Sequence, residues 1–281
     1  MIAALSRARA YLLERQSPGG GFCFYRGYYA DEPNLSDTWH AIAALTGLLG
    51  VELAQKNEHA RFIIAQPIEP QPAALYRRVR ALQVIGFDDP KENEVEWAVR
   101  SLQSSAGTLA RQAPIDASLH RLRQVLWLQD HFGVAAAIEE TARAVLERED
   151  ETGGFGTPPN LIDTEAAIAV LAQCGRRPSV RTNDFVNRMA LAGFGFRLTA
   201  GSLSPNLETV CAGMLSCIRL DMPVSYEHDA LAFILSCQTG NGGFARAADA
   251  LPDFTLTHLA VDVLVKRLPP AALDSLRSPA A

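Results

Sequence analysis

The feature that most constrains this chain is a short unit that occurs three times. It consists of a glutamine or glutamate, two or three glycines, a phenylalanine, a polar loop, and a threonine at the head of an apolar run. Gln16 to Phe22 leads to Ser36-Asp37-Thr38, Glu149 to Phe155 leads to Asp163-Thr164, and Gln238 to Phe244 leads to Thr257-His258. Glycine takes positive φ without steric cost, so a helix is expected to stop at Gln16, Glu149 or Gln238 and the chain to turn back. Leu45, Leu171 and Leu264 each follow a threonine by seven residues, two turns along one face, so a second helix is expected to begin at each threonine.

Degenerate copies fill the gaps, and a fixed period signals a repeat architecture. Gln103 to Leu109 followed by Asp116-Ala117 keeps the spacing. So does Gly193-Phe194-Gly195-Phe196 followed by Glu208-Thr209, and Ile63 to Gln66 followed by Leu75 to Leu82 is a worn copy. Six helix pairs follow, in an all-α chain forming one domain over residues 1–281. Phe22, Phe155, Phe194 and Phe244 are expected to plug the seams between neighbouring helices. An open HEAT-like solenoid fits the period but not the Gly-Gly-Phe turns.

These residues resemble the prenyltransferase and squalene-cyclase repeat family. Gln-x-x-x-Gly-x-Phe, at Gln16 to Phe22 and Gln238 to Phe244, is similar to the repeat motif of triterpene cyclases, and Cys237-Gln238 with Gly242-Gly243-Phe244 is similar to the β-subunit of protein prenyltransferases. The resemblance covers nearly the whole chain. It implies an (α/α)6 toroid, with inner helices around a central apolar cavity whose mouth is ringed by their starts. It also implies an isoprenoid-processing enzyme of the terpene cyclase or prenyltransferase-like type. The alternative is a non-catalytic toroid that binds an isoprenoid or a protein, as a homodimer or as the β-like half of a heteromer.

Composition narrows the classes. With 281 residues, 48% of them hydrophobic, the chain can bury a substantial core. A net charge of -5 and a pI near 5.7 argue against a nucleic-acid surface. The five cysteines form no C-x-x-C pair and read as reduced, buried thiols. The first helix lacks the apolar core of a signal peptide, and the apolar stretch from Ala41 to Val51 falls short of the roughly 18 residues of a spanning helix. A cytoplasmic protein without a transmembrane segment is expected.

Asp37, Asp116, Asp163 and Glu208 fall at the starts of the second helices. Asp before Thr is a favoured N-cap, and four such acids could also converge as proton donors or on a cation. The resemblance sets further expectations. The cyclase acid motif Asp-x-Asp-Asp-Thr corresponds to Asn160 to Thr164, with Ile162 at the proton-donating position, which leaves Asp163 or Asp37 as an unconventional acid. The prenyltransferase metal set corresponds to Glu208, Cys211 and His258, with zinc or magnesium as the ion. Arg197, with Arg246 or Arg26, would hold a diphosphate.

Histidines recur near helix starts at His40, His120 and His258, where His258 is the first candidate acid or base. Trp39, Trp127 and Tyr76 are candidates to line the cavity and stabilise a carbocation. Whether Trp39 or His40 points inward depends on helix rotation. Arg77, Arg78 and Arg80 are either solvated or paired, or are turned toward an anionic substrate. The aromatic loop around Arg26 reads as a lid or a contact surface.

Overall fold

The computed structural model describes residues 1–24, 31–102 and 115–277, with the side chains of all of these except 115–118 and 274–277. Arg26 and its aromatic neighbours, the copy at Gln103 to Leu109 and the Asp116 side chain lie outside these. The apolar runs become helices in the expected order. The first helices of the pairs are α1 (Ile2–Leu13), α3 (Lys56–Ala65), α5 (Glu92–Ser101), α7 (Ile138–Leu146), α9 (Val180–Arg188) and α11 (Glu227–Ser236). The second helices are α2 (Leu35–Ile42, continued as a π-helical stretch, Ala43–Leu48), α4 (Pro72–Ile85), α6 (Ile115–His131), α8 (Leu161–Gln173), α10 (Leu207–Leu220) and α12 (Phe254–Lys266). Contacts gather the chain into two compact units: Met1–Glu69 with Arg77–Glu92 and Ile234–Ala281, and Pro70–Tyr76 with Asn93–Phe233.

Burial separates the two kinds of helix. In α8 every residue from Asp163 to Leu171 is buried, and α10 is buried from Thr209 to Cys217, as befits helices covered on all sides. In α7 only Thr141, Ala142, Ala144 and Val145 are buried, a single stripe facing the core. Among the described residues no helix is long and apolar enough to cross a membrane. All five cysteines are free and buried.

The caps of α2 and α8 lie three residues before Asp37-Thr38 and Asp163-Thr164, so these helices do not begin at the threonines. The caps are Asn34, Asn160, Asn206 and Asp253, whose side chains accept the N–H of Asp37 (2.9 Å), Asp163 (3.0 Å), Thr209 (2.9 Å) and Leu256 (2.7 Å). Asp37 and Asp163 therefore sit at the third helical position. Each accepts a hydrogen bond back from its cap amide, at 2.8 and 2.6 Å. This register also shifts the fifth pair by one. Glu208 aligns with Ser36, Ile162 and Thr255, and Thr209 takes the place of the aspartates.

The recurring threonine has a specific task. Thr38, Thr164 and Thr257 accept the N–H of Phe22, Phe155 and Phe244 at 3.0, 3.0 and 2.9 Å, tying each glycine turn to its helix. The fifth pair has Val210 at that position, and packing replaces the bond. A Cβ on Gly213 would lie 2.2 Å from the Phe196 ring, so the missing side chain is what admits the phenylalanine. Phe196, 1% exposed, is thus the plug; Phe194, assigned that role from spacing, is 43% exposed.

Each turn also docks on a neighbouring first helix. A Cβ on Gly20 would meet the Glu58 carbonyl of α3 at 2.1 Å, and one on Gly153 the Arg181 carbonyl of α9 at 2.2 Å. The next glycines, Gly21 and Gly154, lie against Phe62 and Phe185, four residues further along those helices. The last turn does the same with α1: Gly242 faces the Arg7 carbonyl at 2.4 Å and Gly243 the Tyr11 ring. The leading Gln or Glu of each motif binds that same helix. Gln238 accepts from Arg7 Nε (3.1 Å) and donates to the Ala4 carbonyl (2.7 Å), Gln16 meets His59, and Glu149 meets Arg181. The end of the chain is helical as well, in α13 (Pro270–Arg277), which starts on a proline where no N–H is needed and packs on α1.

Of the three arginines on α4, Arg78 is a structural fastener. It is 2% exposed, and all five of its donors are used. Nη1 reaches the carbonyls of Ile63 and Gln66 (2.9 Å each), Nη2 the Ile64 carbonyl (3.2 Å) and Asp89 (3.0 Å), and Nε the other Asp89 oxygen. It closes the C-terminal end of α3, where the Ile63 carbonyl also accepts the Gln66 N–H at 3.2 Å.

Candidate functional site

The cap register decides what the helix starts present. Five residues past the caps stand Trp39, Glu165, Cys211 and His258, and one further on α2 stands His40. Within the first compact unit α2 packs on α12, and this brings the two histidines together. His40 Nδ1 lies 3.0 Å from His258 Nδ1, with ring centroids 5.3 Å apart. Trp39 meets His258 edge to face at 6.1 Å, and the Arg80 guanidinium sits 5.8 Å from the Trp39 ring.

At 3.0 Å one Nδ1 must carry the proton and the other must accept it. In the neutral pair, the ring whose Nδ1–H donates has a bare Nε2, and the other ring has an Nε2–H. The pair therefore offers one acid and one base. Burial first, then the nearby His258 and Arg77, hold the His40 pKa well below its ordinary 6.5, so this ring stays uncharged at neutral pH. Both histidines are half-buried.

Arg77 stands on α4 beside this pair. Burial lowers its pKa, partly offset by the charge of Asp37, and it makes no hydrogen bond or ion pair with any described residue. Sequence reasoning did not single it out from its neighbours Arg78 and Arg80, nor did it pair His40 with His258. The cap register, once known, puts His258 at the place of Trp39, one residue from that of His40, on adjacent helices.

The other candidates have structural surroundings. Asp37 accepts from Asn34 and from the Phe24 N–H (3.1 Å). Asp163 is 6% exposed and held against Asn160, and the absence of a side chain at Gly156, where a Cβ would stand 2.3 Å from its Oδ2, makes room for the carboxylate. Glu165 is buried in an ion pair with Arg219 of α10. Arg197 donates to the carbonyls of Ala200 and Arg188 at 2.9 Å each, tying its loop to the end of α9, while its Nε finds no partner among the described residues. Arg246 and His120 are exposed.

Trp127 meets Tyr76 edge to face at 5.2 Å and stacks on His131 at 5.0 Å, an aromatic group inside the second unit. Glu208 is half-buried at the second position of α10, where the helix dipole favours its charge. His59, which no sequence motif marked, is wholly buried. It accepts the Gly21 N–H on Nδ1 (2.9 Å), and burial pushes its pKa down to about 4, which marks a neutral packing residue.

A metal fits poorly. Among the described residues no three His, Cys, Asp or Glu side chains are grouped to hold an ion, and Cys211 is wholly buried. Glu208, Cys211 and His258 form no such group among the described residues.

No protein family and no curated protein matches the sequence. Solved structures do match. A protein geranylgeranyltransferase-I from Candida albicans, complexed with GGPP, superposes with a TM-score of 0.57 at 14% identity, over 82% of this chain and 83% of that one. The type II terpene cyclase MstE from Scytonema superposes with a TM-score of 0.58 at 12% identity, over 94% of this chain and 97% of that one. A variant of it in complex with geranylgeranyl dihydroxybenzoate superposes equally well, over 94% and 96%. The fold is thus the all-α toroid of the prenyltransferases and terpene cyclases, as the resemblance implies.

Proposed function

We propose that this chain is an isoprenoid-processing enzyme of the terpene cyclase or prenyltransferase-like type, with the His40–His258 pair as its acid and base. The observation that carries this reading is the pair itself: two half-buried imidazoles 3.0 Å apart, at the heads of two second helices, beside an indole. A toroid fold shared with proteins solved with GGPP and with geranylgeranyl dihydroxybenzoate supports a prenyl chain as the ligand.

The division of labour follows from chemistry. The bare Nε2 of one ring takes a proton from a prenyl cation while its Nδ1–H crosses the contact to the other ring, whose Nε2–H passes to water, so the pair returns to its neutral state. Trp39 offers a π face to a cation formed alongside, worth about 0.5 to 2 kcal/mol. Asp37 and Asp163 position the caps that set the height of both helices' side chains rather than transferring protons.

A second reading, a toroid that binds an isoprenoid or a partner chain without chemistry, is favoured by one observation. Ile162 stands at the acid register of α8, and the neighbouring Asp163 is already engaged by Asn160.

The test is incubation with farnesyl diphosphate, geranylgeranyl diphosphate and squalene, followed by mass spectrometry of the extracts. One substrate is expected to give a new product, and His258→Ala to slow its formation about 100-fold. Unchanged substrates throughout would remove the enzyme, while bound but unchanged substrate would select the second reading.

A further inference from the structure

The contact between His40 and His258 joins the two rings at one atom each, and one contact does not fix a plane. An imidazole turns easily about its terminal torsion, whose energy wells are broad. Packing on other sides of the rings has to hold Nδ1 against Nδ1 at 3.0 Å.

Trp39 supplies that packing for His258. It precedes His40 on α2, is 7% exposed, and meets the His258 ring at an interplanar angle of 86°, with centroids 6.1 Å apart. With the indole held in place, this perpendicular contact leaves His258 little room to turn. The indole is itself held from a third helix. The Arg80 guanidinium of α4 lies 5.8 Å from its centroid, within range of cation–π attraction. Nη1 of the same guanidinium donates to Gln83 Oε1 at 2.9 Å, one turn further along α4, which fixes the fork.

Five side chains therefore touch in series over three helices: Gln83, Arg80, Trp39, His258 and His40. An amide does not titrate, and a guanidinium keeps its proton near neutral pH, so Gln83 and Arg80 can act on the pair only through position.

We infer that Arg80 is a positioning residue for the histidine pair: it holds Trp39 square to His258 and so fixes the plane in which the two imidazoles meet. Its consequence for catalysis rests on the acid–base reading of the pair, but the positioning itself is read without turnover.

NMR of the full chain with isotope-labelled histidine shows which ring nitrogen carries each proton. In the parent the pair is expected to show opposite tautomers, one ring protonated on Nδ1 and the other on Nε2. His59, whose Nδ1 accepts the Gly21 N–H, gives an internal reference for an intact fold. Arg80→Met keeps the length of the stem and removes the fork. It is expected to lose the Nδ1–H signal of the pair while the His59 signal stays. Gln83→Ala, at an exposed position, should weaken the Nδ1–H signal in the same direction, and Arg80→Lys, which keeps the charge without the fork, should recover part of it. Where product forms, Arg80→Met should lower kcat about tenfold or more at unchanged KM. An Nδ1–H signal as strong in Arg80→Met as in the parent would overturn the inference and leave the acid–base reading standing. If Arg80→Met loses the His59 signal as well, an unchanged Nδ1–H signal in Gln83→Ala would overturn it instead. A parent spectrum with no Nδ1–H in the pair would remove the acid–base reading and the inference together.

Discussion

Arg78→Ala is expected to cost about 3 to 5 kcal/mol of folding stability, a large share of what a domain of this kind has. Removing the guanidinium leaves the Asp89 carboxylate without its counter-ion and takes the Arg78 donors from the carbonyls of Ile64 and Gln66, and one of two donors from that of Ile63. Arg78→Lys should rescue little, since an ammonium cannot serve five acceptors held in a planar fork. The same pair predicts acid sensitivity. Burial alone would raise the Asp89 pKa, but hydrogen bonds from Arg78 and from the Lys91 N–H, with their charges, bring it below the ordinary carboxylate value. A depressed acid stabilises the fold above its unfolded pKa and loses that contribution as pH falls through the folded one. Urea unfolding checks the substitution, and a loss below about 1 kcal/mol would contradict a structural role.

Gly242→Val is expected to cost about 3 kcal/mol by detaching the last turn from α1. Gly242 has φ of 94°, which a β-branched residue does not adopt without strain, and a Cβ there would stand 2.4 Å from the Arg7 carbonyl. Gly240 supplies the control. Nothing lies within 4 Å of a Cβ built on it, so Gly240→Ala should stay within about 0.5 kcal/mol. Hydrogen exchange distinguishes loss of docking from general unfolding, because in the valine variant protection should fall first in α1, around Arg7 and Tyr11. Unchanged protection in α1 would mean that the contact does not hold the helix.

The repeats were legible because the leading Gln or Glu, the glycines and the phenylalanine keep one spacing, and each is followed by a threonine seven residues before a leucine. Their physical meaning was only half visible. Threonine reads in sequence as a helix start, whereas it is the acceptor for the phenylalanine N–H, one turn inside the helix. The true caps, Asn34, Asn160, Asn206 and Asp253, stand in polar loops where asparagine and aspartate are unremarkable. Missing them displaced Glu208 by one position and assigned the seam to Phe194 instead of Phe196.

The site was less legible for a different reason. Sequence lists His40, His258 and three arginines, but which arginine is locked and which is left without a partner depends on helix rotation and on a loop residue, Asp89, eleven positions away from Arg78. Arg197, in a suggestive place in the sequence, spends its two terminal nitrogens on the carbonyls of Ala200 and Arg188.

Photoaffinity labelling tests the assignment of the prenyl site most directly. A geranylgeranyl probe bearing a diazirine would be bound, irradiated, and its attachment mapped by peptide mass spectrometry. The assignment predicts adducts concentrated on α2 and α12, around Trp39, His40 and His258, and suppressed by unlabelled geranylgeranyl diphosphate. Adducts absent from both helices and gathered instead on exposed apolar residues such as Trp97, Leu203 and Leu251, without competition, would contradict it.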